Sequence, residues 1–534
     1  MRDRRILAGT AALAAIAILV CGAFAGLVAE GAGNPAGALA AFDAWLWRVA
    51  RFTLWQAALS TLLSVLPAIL VARALFRQRD LPFHDLLLRL FAVPLALPAI
   101  VAALGVLALY GRAGLLADAA RWTGLDGWPS IYGLSGILIA HVFFNLPLAT
   151  RLLLEALETS PPDEHRLASQ LGLGERATFR FVEWPVLRRA LPGVAGLVFM
   201  LCVTSFTIVL TLGGGPAATT LEVAIYQSLR FDFDPARAAT LTAVQIALTA
   251  LVMAGLERAG MHAADINAPL AVTRRRHLSH TAASRAFDAG LVALAAIFVA
   301  GPLAATAIAG MSADLGRLAT ERAFLQASAT SLVLATLAAM AALLLSLALV
   351  AARRALELRR GAAPRGVLEY LTGTGSSLVL VLPPVVLGAG WFLSLRGRVD
   401  VFAAAPVMVV AVNAAMAMPF VVRAIRPAYD AASARHEKLS AMLGIGGWSR
   451  WRLVDWPALR RPMAAGLAFA MALSLGDLGV IALFGSEAVQ TLPYLLLARM
   501  SAYRTEDAAG LALLLGLLCL ALVFIADRLG TERR

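Results

Sequence analysis

Apolar runs longer than about 18 residues recur along this chain, and a run of that length can cross a bilayer as a helix. Twelve can be placed: 6–28, 50–75, 86–110, 131–154, 191–212 and 237–256, then 287–310, 323–351, 367–395, 404–425, 463–484 and 508–526. Of the 534 residues 60% are hydrophobic and only 15% charged, against about a quarter charged in soluble domains. The expected class is an all-α polytopic membrane protein with about twelve transmembrane helices. The first run resembles a signal peptide with GAFAG as a cleavage site, but its length and the even span count it preserves favour an uncleaved helix. Pro94 and Pro98 interrupt the third run. After the fifth, GGGPAATTLEVAIYQSLRFDFDP is too polar to span and long enough to fold partly into the membrane.

The net charge is +13, and its placement argues against a nucleic-acid partner. Of the 46 Lys and Arg residues, 34 fall in segments on the side of the N-terminus and 12 in the opposite loops. This positive-inside bias places both termini on the cytoplasmic side of the membrane. Basic loops facing anionic lipid headgroups account for the charge. Cys21, Cys202 and Cys519 each lie inside a span, where buried thiols act as small apolar groups, and their spacing suits neither a disulfide framework nor a metal site.

A polar, arginine-rich island interrupts the apolar pattern twice, at 155–192 and 427–464. Gly172 matches Gly444 at an offset of 272, and the same offset pairs Pro147 with Pro419, Arg180 with Arg452 and Trp184-Pro185 with Trp456-Pro457. The chain is therefore an internal duplication: a first half over 1–256, a cytoplasmic linker over 257–286 and a second half over 287–534. The linker carries Arg274-Arg275-Arg276, His277 and His280 without apolar periodicity. Each island reads as a short helix, a glycine turn and a second helix. Ser160 is the expected N-cap of the first copy, with Pro161-Pro162 opening the helix, and Ser433 or Asp430 that of the second. Gly172, Gly174, Gly444, Gly446 and Gly447 make the breaks, and Pro185 ends the second segment.

A phosphate loop of the form GxxxxGK[ST] needs its lysine. Lys438 is the only lysine and is followed by Leu439, so nucleotide hydrolysis must come from another polypeptide. Neither HExxH, a CxxC pair nor GxSxG occurs, which leaves no enzyme chemistry to assign. His141, Asn145 and Asn413 lie on apolar helices and are expected to hydrogen bond between helices. Asp477, in SLGDLG, is the one clear acid inside a span, either a hydrogen-bonded group near a helix end or a transport residue. Thr204, Ser205 and Thr207 match Gly476, Asp477 and Gly479; they line a pathway or serve close helix packing. Glu222 and Asp234, in the polar loop before the sixth span, are candidate receptor contacts or solvated charges.

The repeated island resembles the EAA loop of ABC-importer permeases of the type I fold, EAAxxxG, nine residues, then IxLP. Gly172 is followed after nine residues by Val182-Glu183-Trp184-Pro185, and Gly444 by Val454-Asp455-Trp456-Pro457. Arg166-Leu167-Ala168 and Lys438-Leu439-Ser440 stand where Glu-Ala-Ala would. The resemblance implies a loop docked on an ATPase through Arg166, Ala168, Gly172, Val182 and Pro185, and through Lys438, Ser440, Gly444, Val454 and Pro457. Over most of its length the chain is similar to the thiamine permeases of Gram-negative bacteria, which have two fused six-helix halves. RFTLWQAALSTLLSVLPAILVARAL (51–75), AHVFFNLPLATRLLLEALE (140–158), LGGGPAATTLEVAIYQSLRFDFDPARAA (212–239) and SLGDLGVIALFG (474–485) carry this resemblance.

That resemblance implies import of thiamine and its phosphate esters from periplasm to cytoplasm by alternating access. It also implies two copies of an ATPase subunit, which bind ATP and magnesium in place of any cofactor on this chain, and a periplasmic thiamine-binding protein. Thr204, Ser205, Thr207 and Asp477 are the candidate pathway residues. The rival readings are the same machinery carrying ferric iron or another small solute, and a secondary transporter working without an ATPase.

Overall fold

The computed structural model describes residues 2–78, 83–124, 127–258, 282–360, 364, 366–379, 382–486 and 489–530. Most of the linker over 257–286, with Arg274-Arg275-Arg276, His277 and His280, lies outside them, as do Arg533 and Arg534. Among the described residues there is no strand, and ten helices are long and apolar enough to cross a membrane.

The two expected spans missing from those ten are broken helices. The run 367–395 is divided into Val367–Leu378 and Pro384–Leu395, because Pro383-Pro384 removes two consecutive N–H donors. The run 463–484 is divided into Trp456–Gly476 and Gly479–Phe484. The third run breaks at Pro94 and Pro98 as expected, giving His84–Leu90, Val93–Ala96 and Ala99–Tyr110. In the second half, span and island form one helix, Ala405–Met442, which runs through Pro419 and Pro427.

The described chain packs as two compact units that cut across the repeat. The first comprises Met1–Leu46, Leu221–Ile246 and Gly310–Arg534. Here Arg322–Arg360, Ala405–Met442, Trp456–Gly476 and Thr505–Gly530 pack together, and Arg2–Gly33 lies against Arg322–Arg360 and Pro384–Leu395. Trp391 Nε1 donates to the Leu19 carbonyl at 2.8 Å, and Ser394 Oγ to that of Gly22 at 2.9 Å. A Cβ on Gly26 would lie 2.2 Å from the Gly390 carbonyl oxygen, so only glycine permits this approach. The first helix of the first repeat is thus seated on helices of the second. Its Cys21 is exposed, contrary to the buried thiol expected, because it points away from those partners; Cys202 and Cys519 are buried.

The second unit comprises Trp47–Thr220 and Ala247–Ala309. Phe143, Leu153, Leu157 and Leu187 share its core with Val292, Ala295 and Val299. Those last three belong to Ala282–Met311, the opening helix of the second repeat. Each repeat has therefore given its first helix to the unit built mainly from the other.

Polar side chains on apolar helices pair across helices in both units. Ser60 Oγ and His141 Nδ1 are 2.9 Å apart, and Asn145 Nδ2 donates to Cys202 Sγ at 3.3 Å. Asn413 Nδ2 donates to Ser474 Oγ at 2.9 Å. Under the 272 offset Cys202 matches Ser474 and His141 matches Asn413. Equivalent helices are therefore bridged at the same acceptor position, from donors one turn apart.

Candidate functional site

The two islands fold into elbows of the same backbone design, each within its own unit. In the first, Pro162–Gln170 ends where Leu171 N–H donates to the Leu167 carbonyl at 2.9 Å and Leu173 N–H to that of Ala168 at 3.0 Å. In the second, Leu443 N–H donates to Leu439 at 3.0 Å and Ile445 N–H to Ser440 at 2.9 Å. Gly172 has φ +65° and Gly444 +63°, the left-handed conformation that closes such a helix end at least cost in glycine. A short helix follows, Glu175–Thr178 or Gly447–Arg450, then a π-turn, Phe179–Glu183 or Trp451–Asp455. The chain then enters Trp184–Val203 or Trp456–Gly476. A π-turn widens the helix by one residue and recurs at functional positions.

Three local expectations are corrected. Ser160 does not cap the elbow helix, whose cap position is Pro161; its hydroxyl turns back to the Leu157 carbonyl at 2.8 Å and meets His165 Nε2 at 3.1 Å. Neither Asp430 nor Ser433 starts a helix, because both are interior to Ala405–Met442 and bond outward. Asp430 pairs with Arg353, and Ser433 Oγ accepts from Arg354 Nε at 3.1 Å. Pro185 opens the long helix instead of ending a segment, since a first-turn residue has no intrahelical use for an N–H.

Ala168, Val182 and Pro185 come together, with Leu167, Leu171 and Phe181, along a groove of about 800 Å³ on the first elbow. Arg166 and Lys438 are exposed, and Arg166 pairs with Asp163 at 3.2 Å. Ser440 is buried, Val454 half-buried, and Gly444 and Pro457 exposed. Sequence reasoning missed the apolar face itself. Leu167, Leu171 and Phe181 are exposed, and so are Leu439, Leu443 and Leu453, their partners at the same offset. The signal was an apolar residue at the same three places in both islands. Such a face on a helical elbow accepts a complementary apolar surface. We expect Leu171→Asp or Leu443→Asp to reduce ATPase co-purification severalfold without changing membrane insertion, measured by pull-down from solubilised membranes.

Behind that face each elbow is anchored by a buried acid. Glu183 receives Arg73 Nε at 2.5 Å, and the Arg73 guanidinium lies 4.5 Å from the Phe179 ring centre. Arg77 reaches Glu175 at 2.8 Å. The matching acid, Asp455, faces Arg450 at 3.6 Å and Arg5 at 3.8 Å, and Arg450 also holds Glu437 at 2.6 Å. Burial pushes the Asp455 carboxyl above the usual aspartate range, opposed by Arg450 and Arg5. These pairs tie each elbow to a neighbouring helix: Arg73 and Arg77 lie on Ala44–Arg77, and Arg5 on Arg2–Gly33.

The candidate pathway residues sit at helix breaks. Trp184–Val203 stops at Thr204, whose hydroxyl donates to the Met200 carbonyl at 2.9 Å, and the chain resumes at Phe206–Leu212. Ser205 is the extended link and Thr207 lies in the next turn, both half-buried. In the other unit Asp477 is the extended residue after Gly476. Its carboxylate accepts from the N–H groups of Gly479 at 3.3 Å and Val480 at 3.5 Å. The fifth and eleventh spans thus unwind at the same point of the repeat. Glu222 is not a surface receptor contact: it is 1% exposed on Leu221–Arg230. Asp234 is exposed and caps the helix Pro235–Arg258, accepting from Arg237 N–H at 3.0 Å.

The described residues, all-helical with ten candidate spans, two matched elbows and discontinuous helices, have the build of a type I ABC-importer permease. Residues 359–531 match the model of the family described as binding-protein-dependent transport system inner membrane component. The thiamine transport system permease protein ThiP of Brucella abortus (strain 2308) is 58% identical over 527 residues, 99% of this chain and 96% of the relative. The proteins of that name from Escherichia coli (strain K12) and Haemophilus influenzae are 43% and 36% identical, covering 91% and 89% of this chain and 90% and 87% of theirs. The chain belongs to the family of thiamine transport system permeases, multi-pass inner-membrane subunits of ABC importers.

Proposed function

We propose that this permease imports thiamine, and its phosphate esters, from periplasm to cytoplasm by alternating access. Two copies of a separate ATPase subunit, which bind ATP and magnesium, dock on the elbows at Arg166, Ala168, Gly172, Val182 and Pro185 and at Lys438, Ser440, Gly444, Val454 and Pro457. A periplasmic thiamine-binding protein delivers the cargo. Both termini lie in the cytoplasm, the side on which the charge bias puts them. One observation carries the reading: the same helix, left-handed glycine, π-turn and long helix occur twice at a fixed offset. A two-fold ATPase dimer needs two such sites.

Mechanically, the buried acids make each elbow move with its unit, so closure of the ATPase pair is transmitted to the spans. The unwound points at Thr204-Ser205 and at Asp477 leave backbone and side-chain polar groups for a cargo in transit, the arrangement that discontinuous membrane helices commonly serve.

Uptake of labelled thiamine by cells with and without this gene tests the reading, in strains retaining the ATPase and the binding protein. Loss of uptake on deletion is expected. Iron-limited growth failure with normal thiamine uptake would transfer the function to ferric iron. Uptake persisting without the ATPase would make the protein a secondary transporter.

A further inference from the structure

Glu222 stands out in the first unit because it is enclosed and unmatched. It is 1% exposed, and among the described residues neither carboxylate oxygen has a hydrogen-bond partner. Burying a carboxyl without a donor or a cation is costly, so a side chain held that way inside a transporter points to a ligand that arrives and leaves. Its helix, Leu221–Arg230, packs on Pro384–Leu395 and Gly479–Phe484. The latter helix begins two residues after Asp477, whose carboxylate, among the described residues, accepts from the backbone N–H groups of Gly479 and Val480. Gly479 in turn lies against Pro384 and Val385.

The charges on these segments are unbalanced. Arg230 is the one cation on the three helices, and its guanidinium is engaged at the far end, donating to the Gly485 carbonyl at 2.9 Å and to Tyr494 Oη at 3.2 Å. Tyr226, buried and one turn beyond Glu222, is on the same side of its helix. A carboxylate with an aromatic ring on one helix face is a pairing suited to a cation that has no N–H to donate.

We propose that Glu222 and Asp477, with Tyr226, select cargo by positive charge, favouring the quaternary thiazolium of free thiamine over its phosphate esters, which are anionic overall. This rests on the thiamine reading above and deepens it. A thiazolium can balance an acid that ionises beside it. The esters bring their own negative charge to helices whose one cation, Arg230, is already engaged, so they should move more slowly.

The test uses the full complex of permease, ATPase and binding protein in cells, with labelled thiamine and labelled thiamine diphosphate as probes and rates expressed per inserted molecule. Glu222→Gln and Asp477→Asn keep shape and remove charge. Each should lower thiamine uptake by about tenfold and raise the ratio of diphosphate to thiamine uptake, with Glu222→Asp retaining more thiamine uptake than Glu222→Gln. Thiamine uptake at the wild-type rate in both neutral variants would overturn the proposal. So would an equal fall for both cargoes, which is what a purely structural role predicts. If the wild-type complex takes up neither compound, the thiamine reading itself fails.

Discussion

Proline at Gly172 or at Gly444 is expected to abolish uptake while the protein still inserts. Both glycines sit in the left-handed region, at φ +65° and +63°, whereas the proline ring holds φ near −65°. At position 172 proline also removes the N–H that donates to the Ser169 carbonyl at 3.1 Å. The turn must therefore reopen, and the bonds from Leu173 to Ala168 and from Ile445 to Ser440 go with it. Insertion is governed by the spans, which this change leaves alone, so the loss should appear in transport and ATPase co-purification at unchanged membrane abundance. Alanine at either position costs only about 1–2 kcal/mol and should give a partial defect. Asparagine, which tolerates this region better, should be milder still. Undiminished uptake in both proline variants would remove the elbows from the coupling path.

Leucine at Gly26 should have the second large effect, on assembly. The new Cβ would lie 2.2 Å from the Gly390 carbonyl oxygen and 2.9 Å from the Ser394 backbone nitrogen. Because two of the atoms it meets are backbone, no rotamer change relieves the clash, and the first helix must lift from Pro384–Leu395. Overpacking of this kind costs about 1–3 kcal/mol or more, here with loss of the bonds from Trp391 to Leu19 and from Ser394 to Gly22. Thermal unfolding of the detergent-solubilised protein should show a clear fall in Tm. Gly31→Leu is the internal control, since a Cβ there meets nothing within 4 Å. Equal melting temperatures for the two variants would mean that the first helix contributes no stability through this contact.

Much of the architecture was legible before any coordinate. Uninterrupted apolar runs announce membrane helices whatever their neighbours, and proline marks some of the breaks, as at Pro94 and Pro98. Not every proline breaks its helix, since Ala405–Met442 runs through Pro419 and Pro427. The elbows were legible because turn chemistry is local: a left-handed helix end demands glycine wherever it occurs, and two glycines at a constant offset mark two such ends. Caps were read less well. Ser160, Asp430 and Ser433 have side chains that cap helices in general, but here each is claimed by a partner reached through the fold or by the preceding turn.

What the sequence by itself determined is the helical membrane class, the duplication and the positions of the two elbows, because hydrophobic run length and turn preference act within a few residues. Only the tertiary structure decided that each repeat gives its opening helix to the unit built from the other, that Glu222 is enclosed instead of solvated, and that His141 and Asn145 bond to Ser60 and Cys202. Apolar helix surfaces are nearly interchangeable in hydrophobicity, and what picks one partner over another is close steric fit, such as Gly26 against Gly390, between residues hundreds of positions apart.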